Sequence, residues 1–256
     1  MRLGLEGRRG LVTGGSKGLG EAIARELVAE GAHVAICSRN EHEVVATADA
    51  IGAAYAQAAD VSDPEQVRDL VARSADALGG IDFLVNNAGG AHPGTFETLT
   101  DENWVADLDV KLFSLIRCSR EVLPHMRAAG GGRIVNIGAV YSRYPDPTFF
   151  ATSVNRAAGN SFTKTLALEV AKDNILVNGV NIGFVITPQW ENIHQRRAPE
   201  LPREEFFDTF ARQEVPLGRF GIPDEVSGLV AFLLSERASY ITGASIDVAG
   251  GMGRYV

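Results

Sequence analysis

A chain of 256 residues with a formal charge of −8 lacks the basic surface that nonspecific nucleic-acid binding needs. Its length buries a substantial core without staples, and 45% apolar with 22% charged residues is not the composition of a disordered chain. The start, MRLGLEGRRG, has no signal-peptide apolar run and no stretch is long enough to span a membrane, so a cytoplasmic protein with no membrane partner is expected.

An apolar run from Gly10 to Thr13 predicts a first strand that ends in glycines. Leu19, Ile23 and Leu27 then fall on one helical stripe, with Gly31 as C-cap. His33 to Ser38 reads as a second strand, residues 41–51 as a polar helix and Ala53 to Asp60 as a third strand. Asp63-Pro64 opens a helix with Asp as N-cap and Pro in the first turn; Val67, Leu70, Val71 and Leu78 line its buried side. Ile81 to Asn86 is a fourth strand, Trp104 to about Ala129 a long helix, and Arg133 to Ile137 a fifth strand. Gly138 to Phe150, aromatic and Pro-containing, is expected as loop, followed by a helix from about Ala151 to Lys172 and a sixth strand from Ile175 to Asn181. Residues 183–215 carry prolines among charges and aromatics, which predicts an insertion with short helices that serves as a substrate lid. A helix from Pro223 to Ser235 and a strand from Ser245 to Val248 complete the chain.

Strands alternate with helices, and most strands are continuous apolar runs. That pattern demands an α/β fold with a parallel sheet covered on both faces, read as one dinucleotide-binding domain over residues 1–256. Ligands of such sheets bind beyond the carboxyl ends of the strands, so the loops after each strand carry the function. Cys37 and Cys118 are far apart and lie in apolar runs, and the histidines form no ligand cluster; no metal site is expected.

The first such loop reads Thr13-Gly14-Gly15-Ser16-Lys17-Gly18-Leu19-Gly20. Glycines let backbone amides approach a pyrophosphate, and the following helix offers free N–H groups and the positive end of its dipole. The second strand ends at Ser38-Arg39, with no acidic residue to bond an adenosine ribose 2′-OH. An Arg there, with Lys17 in the glycine turn, suits a 2′-phosphate, so NADP(H) is expected over NAD(H); two surface cations are the alternative.

These residues, with Asp60-Val61, Asn86-Asn87-Ala88-Gly89, GRIVNI at 132–137, NILVNGVNIG at 174–183, Thr187 and YITGASIDVAGG at 240–251, resemble the short-chain dehydrogenase/reductase family along nearly the whole chain. The resemblance implies a Rossmann-type, doubly wound seven-stranded parallel sheet, a homotetramer or homodimer, and hydride exchange with a small-molecule carbonyl or alcohol. It also implies that Gly14, Ser16, Gly18, Leu19 and Gly20 hold the pyrophosphate end and Asp60-Val61 the adenine. Asn87, Ala88 and Gly89 would run along the cofactor, and Gly183, Val185 and Thr187 would flank the nicotinamide. Where the family usually has Pro before that glycine, this chain has Ile182.

The family's Asn–Ser–Tyr–Lys set falls, by the same resemblance, on Lys111, Ala139, Thr152 and Arg156. A Thr hydroxyl is a far weaker acid than a phenol, Ala139 has no hydroxyl, and Arg156 can bond the ribose but stays protonated. A non-standard proton donor is therefore expected. Lys111 lies beside the stripe Trp104, Leu108, Leu112 and Leu115, where a lysine is either paired and functional or snorkels to solvent. Tyr141 and Tyr144 are candidates for a relocated acid whose pKa Lys111 or Arg156 would lower, with ordinary loop packing the alternative. His92 and Tyr255 are further candidates. Phe149, Phe150, Phe184 and Trp190 suggest an apolar pocket or aromatic core packing. Three functions remain open: an NADP(H)-dependent oxidoreductase, an NADP(H)-binding protein with little or no turnover, and a non-redox enzyme that reuses the cleft.

Overall fold

The computed structural model describes residues 3–90 and 92–253. In chain order it has β1 (Arg9–Thr13), α1 (Gly18–Ala29), β2 (His33–Ser38), α2 (Glu41–Ile51), β3 (Tyr55–Ala58), α3 (Pro64–Leu78), β4 (Phe83–Asn86) and α4 (Asp101–Leu108). A π-helical turn, Asp109–Phe113, joins α4 to α5 (Ser114–Ala128), and β5 (Gly132–Ala139) and α6 (Phe150–Val170) follow. The last elements are β6 (Ile175–Ile182), α7 (Pro188–Arg197), α8 (Arg203–Glu214), α9 (Asp224–Leu234) and β7 (Ser245–Val248).

The strands form one parallel seven-stranded sheet in the order β3-β2-β1-β4-β5-β6-β7. Successive residues of a strand point to opposite faces, and each face has its own core. From β1, Val12 packs with Ile23 and Leu27 of α1 and Val226, Val230 and Leu234 of α9. Its neighbour Leu11 packs on the other face with Val67 and Leu70 of α3, Cys118 and Val122 of α5 and Val170 of α6. The chain reverses its direction of travel across the sheet between β1 and β4, which opens a crevice beyond the carboxyl ends of these two strands.

Several expected boundaries move; β4, for one, begins at Phe83 rather than Ile81. β3 is shorter than 53–60 because only Tyr55 to Ala58 pair with β2. β5 runs on to Ala139 because β6 pairs with it through Ile182, so the expected loop begins two residues late and contains a 3-10 turn, Val140–Ser142. The long helix starts at Asp101, where Thr100 and Asn103 form a reciprocal capping box. It is also interrupted: in the π turn the Ser114 amide bonds back to Asp109, five residues earlier. Its inward face carries Asp107, Lys111, Ser114, Leu115 and Cys118, so the expected stripe through Trp104, Leu108 and Leu112 is only half-buried. Those spacings of three and four residues make an ordinary helical stripe, but it is polar at Asp107 and Lys111, so a pattern read from apolar residues alone selects the neighbouring face.

Within residues 183–215, α7 and α8 build a third apolar cluster in which Trp190 packs on Phe184 and Phe220 at ring separations of 4.7 and 5.0 Å. Among the described residues no helix is long and apolar enough to cross a membrane.

Candidate functional site

The crevice beyond β1 and β4 is a cleft of about 1170 Å³. At its floor the two strand ends are stitched together. Thr13 Oγ1 accepts the amides of Asn87 and Ala88 at 3.0 and 3.1 Å, and Asn87 Nδ2 donates to the carbonyls of Thr13 and Gly14 at 3.0 and 3.1 Å. Helix α1 then starts with Lys17 as an extended N-cap residue and no side chain bonding its first amides. Those amides are left for a ligand at the positive end of the helix dipole. The turn itself requires glycine: Gly14 has φ +65°, and a Cβ at Gly20 would sit 2.1 Å from the Gly14 carbonyl oxygen.

Around this mouth the same cleft is lined by Gly14, Ser16, Lys17, Gly18, Leu19, Gly20, Ser38, Arg39, Asp60, Val61, Asn87, Ala88, Gly89, Arg156, Gly183, Val185 and Thr187. The structure thus brings together every residue expected at the dinucleotide. Arg39 is exposed and has no carboxylate partner among the described residues, whereas the Lys17 ammonium pairs with Glu43 at 3.1 Å. Asp60 is oriented by Ser62, whose amide and hydroxyl donate to it at 2.9 and 2.6 Å. On the opposite wall Thr187 and Pro188 reach the glycine turn; a Cβ at Gly18 would lie 3.1 Å from Pro188 Cδ.

Deeper in the cleft lies a buried polar cluster. Lys111 and Asp107, one turn apart on the long helix, are both fully buried and ion-paired. Lys111 Nζ also donates to Thr152 Oγ1 at 2.6 Å. Asp107 Oδ1 meets His92 Nδ1 at 2.6 Å as well, and Asp107 Oδ2 accepts Asn155 Nδ2 at 2.8 Å. Arg156 donates to the Ile137 carbonyl at 2.8 Å. Burial, then the Arg156 charge, pushes the Lys111 ammonium down to about 8, with Asp107 opposing both. Burial also lowers Arg156, to about 10, so it stays cationic at neutral pH. For Asp107 burial acts upward, but the bonds from His92 and Lys111 outweigh it and hold the carboxylate below its usual range.

Several expectations need correction. Lys111 does not snorkel: its ammonium is enclosed and satisfied by Asp107 and Thr152. Tyr144 is not among the cleft-lining residues and is 37% exposed, because the 3-10 turn ends the strand and carries the chain outward. Tyr141 does line the cleft, stacked on Phe149 at 5.3 Å, but burial and the Asp146 charge push its phenol up rather than down, so neither cation activates it. Phe149, Phe184 and Trp190 line the cleft and Phe150 does not; it packs on Trp104. Tyr255 lies outside the described residues. Sequence reading missed Asp107 and Asn155, although the spacing of Asp107 and Lys111, four apart on a helix, is a pairing signal. Among the described residues no group of three or more His, Cys, Asp or Glu is placed to hold a metal ion.

The family profile described as enoyl-(acyl carrier protein) reductase matches residues 14–253. The 3-oxoacyl-(acyl-carrier-protein) reductase of Thermotoga maritima is 34% identical over 97% of this chain and 98% of its own. Among solved structures, L-sorbose reductase from Gluconobacter frateurii complexed with NADPH and L-sorbose superposes with a TM-score of 0.95 at 33% identity, covering 100% of both chains. An NADPH-bound short chain oxidoreductase from Pseudomonas aeruginosa, described as containing an atypical catalytic center, superposes with a TM-score of 0.90 at 35% identity, covering 97% of this chain and 98% of that one.

Proposed function

This chain belongs to the short-chain dehydrogenase/reductase family, and on that premise we propose that it is an NADP(H)-dependent oxidoreductase whose proton donor is the Lys111–Thr152 pair. Its substrate is a small, apolar carbonyl or activated alkene, or the corresponding alcohol. The observation that carries the reading is the 2.6 Å bond from a fully buried ammonium to a hydroxyl that lines the cleft.

The cleft fits the dinucleotide on three counts. The first amides of α1 have no side-chain cap, the glycine turn has no room for a Cβ at Gly20, and Arg39 stands at the second strand end with no carboxylate partner among the described residues. Gly14 to Gly20 would hold the pyrophosphate, Arg39 with Lys17 the 2′-phosphate, Asp60-Val61 the adenine, and Arg156 the nicotinamide ribose. Residues 183–215 act as the lid, Thr187-Pro188 closing toward Gly18. When bound, the reduced nicotinamide supplies a hydride to the substrate.

The chain's own residues handle the proton. Because the Thr152 oxygen accepts from Lys111, its own O–H is free to donate to a substrate oxygen in the cleft. As that proton leaves, Lys111 delivers one to Thr152, so the hydroxyl never has to exist as an isolated alkoxide and the weak acidity of threonine is not limiting. Arg156 nearby disfavours the charged form of Lys111 and so promotes its release of a proton. Tyr141, Phe149, Phe184 and Trp190 provide the apolar walls that suit an apolar substrate.

Fluorescence titration with NADPH and NADH, followed by NADPH oxidation over a panel of ketones, quinones and enones, tests the reading. Tight NADPH binding with turnover that Lys111→Met abolishes is expected. Tight binding with no turnover on any acceptor would replace it with the reading of a nucleotide-binding protein.

A further inference from the structure

The Lys111 ammonium has no exposed surface. Once it has given up a proton it cannot recover one from bulk water directly. Its bonded side-chain partners are Thr152, on the substrate side, and Asp107, on the other. Asp107 is as buried as Lys111, but its Oδ1 also contacts His92 Nδ1 at 2.6 Å, and the His92 side chain is 45% exposed in the cleft mouth.

We infer that His92 and Asp107 form a proton entry that carries protons from solvent to Lys111 between turnovers. The inference rests on the reading of Lys111 and Thr152 as the donor. His92 takes a proton from water at Nε2. Its Nδ1–H bond breaks as an O–H bond forms on Asp107 Oδ1. That hydroxyl turns about its C–O bond from the lone pair facing His92 to the one facing Lys111. The Oδ1–H bond then breaks as the third N–H bond of the Lys111 ammonium forms. The net change is one proton moved from solvent to Nζ, with Asp107 a carboxylate again and His92 neutral as its Nε2–H tautomer; exchange of the ring proton with water restores the Nδ1–H form before the next turnover. Asn155 holds Oδ2 at 2.8 Å, which keeps Oδ1 as the oxygen shared by the two bases.

A purely structural partner for Asp107 needs neither a titrating ring nor access to water, and Lys111 and Asn155 already satisfy the carboxylate. Histidine supplies both features, with one ring nitrogen on Asp107 and a second that can exchange a proton with water. Besides these, the charged groups lining the cleft beside this path are Arg156 on α6 and Asp101, Glu102 and Asp109 on the long helix, with Asp109 paired to Arg117. Arg156 places a permanent positive charge at the inner end, so the cluster of Lys111, Asp107 and Arg156 is neutral when Lys111 has discharged. It carries one positive charge when reloaded, a step that a proton source at the outer end must drive.

Two measurements on the full chain test this. In the first, His92→Ala is compared with wild type in NADPH oxidation. The expected result is a steady-state kcat about 100-fold lower, the low end of what positioned proton transfer contributes. KM should change little, and later turnovers should slow more than the first. Added imidazoles should restore the rate in proportion to their acidity, a response that a merely structural role would not produce. Equal slowing of first and later turnovers, or no rescue, overturns the inference while leaving the Lys111–Thr152 donor standing.

The second measurement needs no turnover: ¹⁵N NMR of histidine-labelled protein, wild type against Lys111→Met. The pH at which the His92 ring signals change should move upward in the variant, because Asp107 then faces one fewer cation. An unmoved titration means that the three groups are uncoupled and overturns the relay. Absence of turnover in wild type overturns the donor reading and, with it, the relay.

Discussion

Lys111 and Thr152 stand 41 positions apart in the chain, yet the ammonium of one donates to the hydroxyl of the other at 2.6 Å at the inner end of the cleft. The contact exists because α6 packs against the π turn of the long helix, whose buried face carries Lys111. In the proposed donor the two act as a pair, with burial and Arg156 bringing the ammonium down to about 8.

Removing either member should stop proton delivery without releasing the cofactor. Thr152→Val and Lys111→Met should each lower kcat by about 100-fold or more, within the range of general acid catalysis. Thr152→Ser should stay within about 10-fold of wild type, since the hydroxyl is kept. NADPH affinity, read by fluorescence titration, should change little in all three. Asp107→Asn should destabilise the fold by about 3–5 kcal/mol in denaturant melts, because it strips the buried ammonium of its counter-charge.

The same ammonium sets a pH dependence. The proposed donor requires Lys111 protonated for reduction, so kcat for reduction should fall as pH rises through about 8, and kcat for oxidation should rise over the same range. Stability moves with a definite sign. The folded pKa lies below the 10.5 of the free side chain, so between about 8 and 10.5 the unfolded chain binds the extra proton. Wild type should therefore gain stability relative to Lys111→Met as pH rises across that window. Parallel melts of the two proteins at about pH 7.5 and about pH 9.5, below and within that window of about 8 to 10.5, check the sign.

Cofactor choice should hinge on Arg39. Arg39→Ala should cost NADPH about 1.5–3 kcal/mol, on the order of 10- to 100-fold in Kd, as expected for a hydrogen bond to a charged group. NADH binding should barely change. Glu43→Gln frees the Lys17 ammonium from its surface pair and should tighten NADPH by a factor of a few, about 1 kcal/mol at most. Paired titrations with both nucleotides read the two effects.

Gly20→Ala should damage both folding and binding. The new methyl meets the Gly14 carbonyl oxygen at 2.1 Å and Asn87 Nδ2 at 2.4 Å, which are parts of the stitch between β1 and β4. A loss of about 1–3 kcal/mol in stability is expected from such overpacking, with NADPH binding weakened further because the amides lose their aim. Thermal melts with and without NADPH separate the two losses.

The thiols should be silent in the native protein. Burial pushes Cys37 up to about 12 and raises Cys118 further, so neither forms the reactive thiolate near neutral pH. Iodoacetamide at pH 8 should label neither cysteine until denaturant is added, and labelling of the folded protein would contradict their placement.

Much of the nucleotide-binding side was legible in the chain because it is written in short segments. Thr13 to Gly20 announces a turn between a strand and an amphipathic helix, and Ser38-Arg39, Asp60-Val61 and Asn87-Ala88-Gly89 each follow an apolar run. Strand alternation then predicts that all these loops gather at one sheet edge, as they do. The boundaries that moved, at β3 and β5, moved because pairing with a neighbouring strand decides where a strand ends. Apolar periodicity also misjudged the long helix, since its buried face is charged at Asp107 and Lys111 and the pattern of leucines points to the neighbouring face.

The amino-acid order alone determined the α/β sheet, the glycine turn and a cation at the second strand end, because each rests on contacts between residues close in sequence or on the side-chain alternation of a strand. Only the tertiary structure decided that Lys111 is enclosed, that Tyr144 faces away, and that His92, Asp107, Lys111 and Thr152 form one chain of contacts. Those four residues come from a loop, one long helix and a third element far along the chain. Their hydrogen bonds, and the desolvation that retunes them, arise only when those elements pack together.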